Sequence, residues 1–182
     1  MTKLNKYNQK RNFNNTKEPE GKVKKTNKKL RYVVQHHLAT RDHYDFRLEW
    51  KGTLKSWAIP KGPSYNSNDK RLAILVEDHP LEYRHFEGVI PEGEYGGGTV
   101  MIWDEGTWEP LNNPAEDLIK GSIKFILKGE RLMGQWALIR MKEKDWLLIK
   151  EKDKYSEYDI NITDFNTSIR TNRTMEEIGK EL

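Results

Sequence analysis

The chain has 182 residues, 35% hydrophobic and 33% charged, enough for one domain whose modest core draws on six Trp, eight Tyr and five Phe. It has no cysteine, which excludes disulfides, thiolate-zinc sites and cysteine nucleophiles. Its longest apolar run, Leu72-Ala73-Ile74-Leu75-Val76, is far short of the ~20 residues of a membrane span, and its basic N-terminus lacks the apolar stretch of a signal peptide, so a soluble, cytoplasmic protein is expected.

Residues 1–30 are rich in Lys and Asn and show no apolar periodicity, so they are expected to form a flexible basic leader before a domain over residues 31–182. Nine lysines and Arg11 there meet only Glu18 and Glu20, a balance of +8 that leaves −4 on the remainder of a chain of net +4. A basic leader on an acidic body suits a polyanionic partner, most simply nucleic acid; the plain alternative is a solvated tail. From Arg31, short aromatic and β-branched segments alternate with turn signals. Strands are predicted at residues 31–35, 43–50, 54–59, 72–77, 99–103, 122–127, 135–141 and 146–150. About eight short strands with regular breaks predict an all-β fold, a small closed or nearly closed barrel with a polar active-site interior. Asp117–Lys120 adds a helical turn, and Thr174-Met175-Glu176-Glu177 has the capping-box form of a short C-terminal helix.

The strand His43-Tyr44-Asp45-Phe46-Arg47-Leu48-Glu49-Trp50 carries the chemical signal. Alternation puts Tyr44, Phe46, Leu48 and Trp50 on one face and His43, Asp45, Arg47 and Glu49 on the other. An imidazole and a carboxylate two residues apart can lean towards one Mn²⁺, Zn²⁺ or Fe²⁺ ion, and Arg47 beside them suits an anion held by that cation. His37, after the first strand, can complete the ligand set. In the strand from Arg71 to His79, alternation groups Arg71, Ala73, Leu75, Glu77 and His79 on one face. If the two polar faces meet, several cations lie beside a metal, as a phosphate ester requires. His79 is the best candidate acid, since imidazole titrates near neutral pH, and Tyr83 lies four residues on. His36 and His85 read as structural or surface residues. Gly93 to Gly98 lacks the Gly-Lys-Ser/Thr ending of a P-loop and reads as a hairpin or bulge. No serine-hydrolase elbow is present.

Several longer motifs then coincide with a known family: Gln35-His36-His37, His43 to Glu49, Leu54 to Ser64, Lys70 to Ala73, Glu77 to Tyr83, Phe86 to Gly96, Gly106-Thr107-Trp108 and Gly134 to Leu138, with Tyr7, Lys10-Arg11, Phe13, Thr16 and Glu18-Pro19 in the leader. In this order they resemble the 3′-phosphoesterase domain of bacterial DNA ligase D. The resemblance implies an eight-stranded, Mn²⁺-binding barrel acting on DNA or DNA–RNA 3′ ends of primer-templates in end-joining repair. It implies His37, His43 and Asp45 as metal ligands and Arg47, His79 and Tyr83 as contacts to the scissile phosphate. Gln35, Lys61, Arg71 and Glu77 match supporting positions, and Arg11 and Glu18 match leader residues that assist activity; Asn12 departs from the family pattern, which has an Asp there. It implies two steps: removal of a terminal ribonucleoside to leave a 3′-phosphate, then removal of that phosphate to leave a 3′-hydroxyl. Ligase, polymerase and end-binding repair partners would then be separate chains.

Two rival readings remain at this level. His43-x-Asp45 with His79 also has the outline of an Fe(II) oxygenase triad, though no downstream Arg-x-Ser pair awaits a 2-oxoacid. A catalytically silent nucleic-acid-binding barrel would need only the basic leader.

Overall fold

Eight antiparallel strands close on themselves because each is half apolar and has to bury that half. The computed structural model describes residues 3–26, 28–158 and 161–181. Its strands are β1 (Arg31–Leu38), β2 (Asp42–Trp50), β3 (Thr53–Ile59), β4 (Arg71–Pro80), β5 (Gly88–Ile90), β6 (Gly98–Pro110), β7 (Ser122–Gly129), β8 (Met133–Lys142) and β9 (Asp145–Lys150). The ring runs β1-β2-β3-β4-β9-β8-β7-β6, and pairing of β6 with β1 closes it. β5, not foreseen from the sequence, is a three-residue appendage on the start of β6. The eight ring strands are the eight predicted ones, each extended by a few residues.

Turn chemistry fixes the registers. Lys51 and Gly52 both have positive φ, which suits the two-residue turn joining Trp50 to its partner Thr53. Among the described residues three α-helices decorate the ring: α1 (Asn5–Gln9), α2 (Pro114–Lys120) and α3 (Met175–Gly179). In α2, Asn113 caps the Ala115 N–H and Gly121 ends the helix in the left-handed conformation. Thr174 caps α3 by accepting from the Glu177 N–H, as the sequence pattern predicts.

Inside the ring, Tyr32, Phe46, Trp57, Trp108, Phe125, Trp136 and Trp146 are buried in one cluster. The Phe46 and Phe125 rings, from non-adjacent strands, lie 6.0 Å apart. A second interior lies between the outer face of β1–β4 and two covering segments, the leader and the 3₁₀ turn Leu81–His85. There Tyr7, Leu54, Tyr83, Phe86 and Ile90 pack together, and the polar faces of β1 and β2 are buried with them.

The leader, expected as a flexible tail, packs on the barrel because two of its few apolar groups find partners. Leu4 and Tyr7 are fully buried. The Tyr7 hydroxyl donates to the Pro19 carbonyl at 2.6 Å. Asn8 donates to the Gly21 carbonyl and accepts from its N–H, folding residues 19–21 back on α1.

The strand expected to line up Arg71, Ala73, Leu75, Glu77 and His79 does not do so. Leu54 pairs with His79 while Ser56 pairs with Val76, so a bulge sets two β4 residues opposite Lys55. Beyond it, Glu77 and His79 turn to the polar interior. Before it, Ala73 faces the aromatic core and Arg71 joins Ser64, Asp69 and Tyr158 in a separate pocket.

Phe46 holds the aromatic core against the strand that carries the polar face. We expect Phe46→Ala to lose about 3–5 kcal/mol in urea unfolding, the usual cost of deleting a buried aromatic ring; a loss under about 1 kcal/mol would mean the core is not packed as described.

Candidate metal and phosphate site

The β1–β2 hairpin assembles the ligand cluster through its register. His37 lies opposite His43, Gln35 opposite Asp45 and Val33 opposite Arg47. Directly opposed residues of an antiparallel pair point to the same face, so the hairpin register brings the three side chains together. One ligand atom from each of His37, His43 and Asp45 lies within 4.8 Å of the others. Asp45 Oδ2 is 3.6 Å from His37 Nδ1 and 3.4 Å from His43 Nε2.

Backbone carbonyls fix both imidazoles. His37 Nε2 lies 2.7 Å from the Gly96 carbonyl and His43 Nδ1 lies 2.9 Å from the Arg41 carbonyl. Each carbonyl holds one ring nitrogen, which turns His37 Nδ1 and His43 Nε2 toward Asp45, the two nitrogens a metal would take. Burial alone would raise the Asp45 carboxyl, but Arg47 and hydrogen bonds from the two histidines outweigh it and hold it well below the usual carboxylate range. Burial opposes the protonated His43 ring, yet Asp45 outweighs burial and raises its pKa, a proton that a cation would displace. Two oriented imidazoles and an ionised carboxylate fit a divalent transition metal.

Beside the cluster stands a buried cation. Arg47 is 2% exposed; its Nη2 is 3.1 Å from Asp45 and its Nε donates to Gln35 Oε1 at 2.7 Å. Gln35 in turn donates to the carbonyls of Tyr83 and Phe86. Arg47 Nη1 is buried with no hydrogen-bond partner. A buried guanidinium nitrogen without a partner is a donor suited to an anion.

The leader supplies the opposite wall. Arg11 donates through Nε to Glu18 at 2.8 Å, stacks over the Tyr7 ring and brings Nη2 to 3.5 Å from His79 Nε2. Glu77 bridges Lys10 at 3.2 Å and Arg11 at 3.6 Å. Arg11, His37, His43, Asp45, Arg47 and His79 share one cavity of about 250 Å³ with Glu77 and Tyr83.

His79 and Tyr83 both line this cavity. Burial first, then Arg47 and Arg11, push His79 well below its ordinary pKa. Its Nδ1 lies 2.9 Å from the Glu77 carbonyl, so the neutral ring presents an Nε2 lone pair. The Tyr83 hydroxyl donates to Glu18 at 2.9 Å, and its ring lies 4.9 Å from the Arg47 guanidinium carbon. Tyr83 thus positions Arg47 and Glu18. Lys61 is exposed beyond β3 and does not line the cavity, and neither does Arg71. Asn12 is exposed and serves a local turn, accepting from the Asn14 N–H. His36 stacks on Tyr44 and pairs with Asp42, while His85 sits on the surface beside Arg170, both outside the site. Sequence reasoning missed the Gly96 carbonyl and Tyr95, whose ring meets Lys10 and Arg11. The glycine run itself was the available signal: Gly96 has φ +75°, and that conformation puts its carbonyl on His37.

Comparison with known proteins supplies a family for this geometry. Residues 35–140 match the model of the DNA ligase D 3′-phosphoesterase domain. The chain is 54% identical over 156 residues to the multifunctional non-homologous end joining protein LigD of Pseudomonas aeruginosa, covering 82% of this chain and 19% of that protein. It is 42% identical over 161 residues to the protein of that name from Mycolicibacterium smegmatis, covering 84% and 21%. It is 44% identical over 153 residues to the multifunctional non-homologous end joining DNA repair protein LigD of Mycobacterium tuberculosis, covering 84% and 20%. The chain thus spans about a fifth of the length of these relatives.

His79 also has a thermodynamic signature. Its folded pKa is depressed, so the unfolded chain binds more protons as pH falls below about 6.5, and folding stability falls with it. One such proton is worth up to about 1.4 kcal/mol per pH unit. In chelator, urea unfolding at pH 7.5 and 5.5 should show the wild type losing more stability on acidification than His79→Gln. Equal losses would mean that His79 is not held neutral.

Proposed function

The chain belongs to the DNA ligase D 3′-phosphoesterase domain family, and on that premise we propose that it is an Mn²⁺-dependent DNA 3′-end-processing enzyme. It removes a 3′-terminal ribonucleoside as a phosphodiesterase and a 3′-phosphate as a phosphomonoesterase, leaving a 3′-hydroxyl for repair. The observation that carries this reading is the unpaired Arg47 nitrogen beside the His37–His43–Asp45 cluster. A cation cluster and a vacant guanidinium edge in one small cavity suit a phosphate ester.

His37 Nδ1, His43 Nε2 and Asp45 would hold the metal, which supplies charge neutralisation at the phosphoryl oxygens and an acidified water. Arg47 takes the phosphate through its free edge while Asp45, Gln35 and Tyr83 keep its plane fixed. Arg11, anchored by Glu18 and Glu77, meets the phosphate from the leader side. His79 is neutral at rest, so its part as an acid begins with substrate. The phosphate's negative charge offsets the two guanidiniums and favours a proton on Nε2. As a water oxygen bonds to phosphorus and gives a proton to solvent, the P–O5′ bond breaks and the His79 proton passes to the departing 5′ oxygen; at the monoester the P–O3′ bond breaks and the proton passes to the 3′ oxygen. Lys61 and Arg71, outside the cavity, are available to the strand beyond the reacting ester. We assign the chain to the cytoplasm at the nucleoid, working with ligase, polymerase and end-binding modules. The oxygenase reading is weaker, because a buried arginine pair and a leader closing the site favour a phosphate over a gas and a 2-oxoacid.

A primer-template ending in one 3′ ribonucleotide, resolved at single-nucleotide level, tests this directly. We expect chelator to abolish cleavage and Mn²⁺ to restore it. His79→Ala should retain Mn²⁺ and DNA binding yet lose about 10²–10⁴-fold in rate at both esters. Full activity in excess chelator would remove the metal assignment, and near-normal turnover by folded His79→Ala would remove the proton role.

A further inference from the structure

The phosphate cavity is too small for the rest of the substrate. At about 250 Å³ it falls below the ~300–1,000 Å³ of ordinary ligand pockets. A groove of about 880 Å³ adjoins it and shares Ala39, His43, Ile90 and Gly96 with it. One wall is the β1–β2 turn from Leu38 to Arg41; the other is the end of β5 and the glycine loop. His43 stands on the border, so a group in the groove would be continuous with a phosphate at Arg47.

The groove has the wrong charge for a polyanion. Apart from His43, its ionisable lining groups are Arg41, Glu92 and Glu94, whereas the cavity next door sets Arg11 and Arg47 beside Asp45 and Glu77 and leaves Arg47 Nη1 without a hydrogen-bond partner among the described residues. Its surface is otherwise small apolar side chains and backbone. Two turns, Glu94 N–H to the Pro91 carbonyl and Gly97 N–H to the Glu94 carbonyl, shape the loop. Gly93 has φ +90°, and a Cβ there would meet nothing within 4 Å, so the loop faces open space. Apolar contact together with backbone donors and acceptors suits an uncharged sugar and base.

We propose that this groove binds the 3′-terminal nucleoside of the substrate, the group that leaves with the 5′ oxygen. The proposal rests on the phosphoesterase reading. It places the uncharged end of the strand between the Leu38–Arg41 turn and the Gly93–Gly98 loop, and leaves the polyanionic strand to the basic surfaces elsewhere. Thr40, exposed in the turn, and Val89, half-buried in β5, line it away from the ligand cluster.

The test has a binding arm and a kinetic arm. In metal-free protein followed by amide NMR, adenosine alone should shift Gly93, Gly97 and Gly98, whereas an oligodeoxynucleotide ending in a 3′-phosphate should leave them in place. Thr40→Trp and Val89→Trp should abolish the adenosine shifts and raise KM for the ribonucleotide-ended primer about tenfold with kcat little changed, the pattern of lost uniform binding. Thr40→Trp, on an exposed turn, keeps the test valid if Val89→Trp does not fold. Loop shifts produced by the oligonucleotide and not by adenosine would put the strand in the groove and overturn the proposal, as would unchanged KM in both variants. If the wild type cleaves no primer, the phosphoesterase reading fails, while adenosine binding still decides whether the groove takes a nucleoside.

Discussion

A guanidinium buried at 2% exposure is the constraint around which this site is built. Such a charge is tolerated only when it is paired and hydrogen-bonded. Arg47 meets that demand with Asp45 on one side, Gln35 on another and the Tyr83 ring against its face. Each partner is thereby fixed as well. Asp45 stays ionised, the state in which a carboxylate can ligate a cation; Gln35 ties the hairpin to the 3₁₀ turn; Tyr83 reaches Glu18, which holds Arg11. Metal cluster, anion edge and leader are one network, and Arg47 Nη1 is its open end. The electrostatics favour an anion there because the other donors already have partners.

That network is buried because the chain makes two interiors from one set of strands. Period-two alternation sends Phe46 and Leu48 into the barrel and Asp45 and Arg47 to its outer face. A polar outer face would normally be solvated. Here the leader and residues 81–90 cover it, and the apolar groups that fasten the cover, Tyr7, Tyr83 and Phe86, surround the charges. The low dielectric that results strengthens the pull of Arg47 on Asp45 and, by the same physics, keeps His79 neutral between two guanidiniums.

The parts legible in the sequence are those governed by local periodicity. The eight ring strands and the shared face of His43, Asp45 and Arg47 follow from alternation alone, and the hairpin register then brings in His37. The illegible parts depend on non-local accommodation. The β4 bulge exists because Lys55 faces two residues, and nothing in Glu77-Asp78-His79 announces it; alternation carried past it groups Arg71 with His79 when they lie in different pockets. β5 is too short to carry a period. The leader's anchors, Leu4 and Tyr7, are two apolar residues among lysines and asparagines, recognisable only once the barrel offers them a place. Glu18 is accessible through family resemblance and not through spacing, whereas alternation already sets Glu77 beside His79.

The charge asymmetry takes a different meaning once contacts are known. Reading +8 against −4 as attraction to a polyanion assumes that the leader's cations are free. Several are spent on the body: Lys10 and Arg11 on Glu77, and Lys24 on Glu82, with Asn15 adding a bond to Glu94. Part of the opposition between leader and body is therefore internal adhesion, and salt should weaken the docking of the leader as well as any contact with phosphates. Lys6, Lys17, Lys25, Lys28 and Lys29 are exposed and do not appear among these pairs. The electrostatic footprint of the leader is therefore smaller than its composition suggests. Its other contribution is structural, because Arg11 enters the site only while Tyr7, Glu18 and Glu77 hold the leader in place.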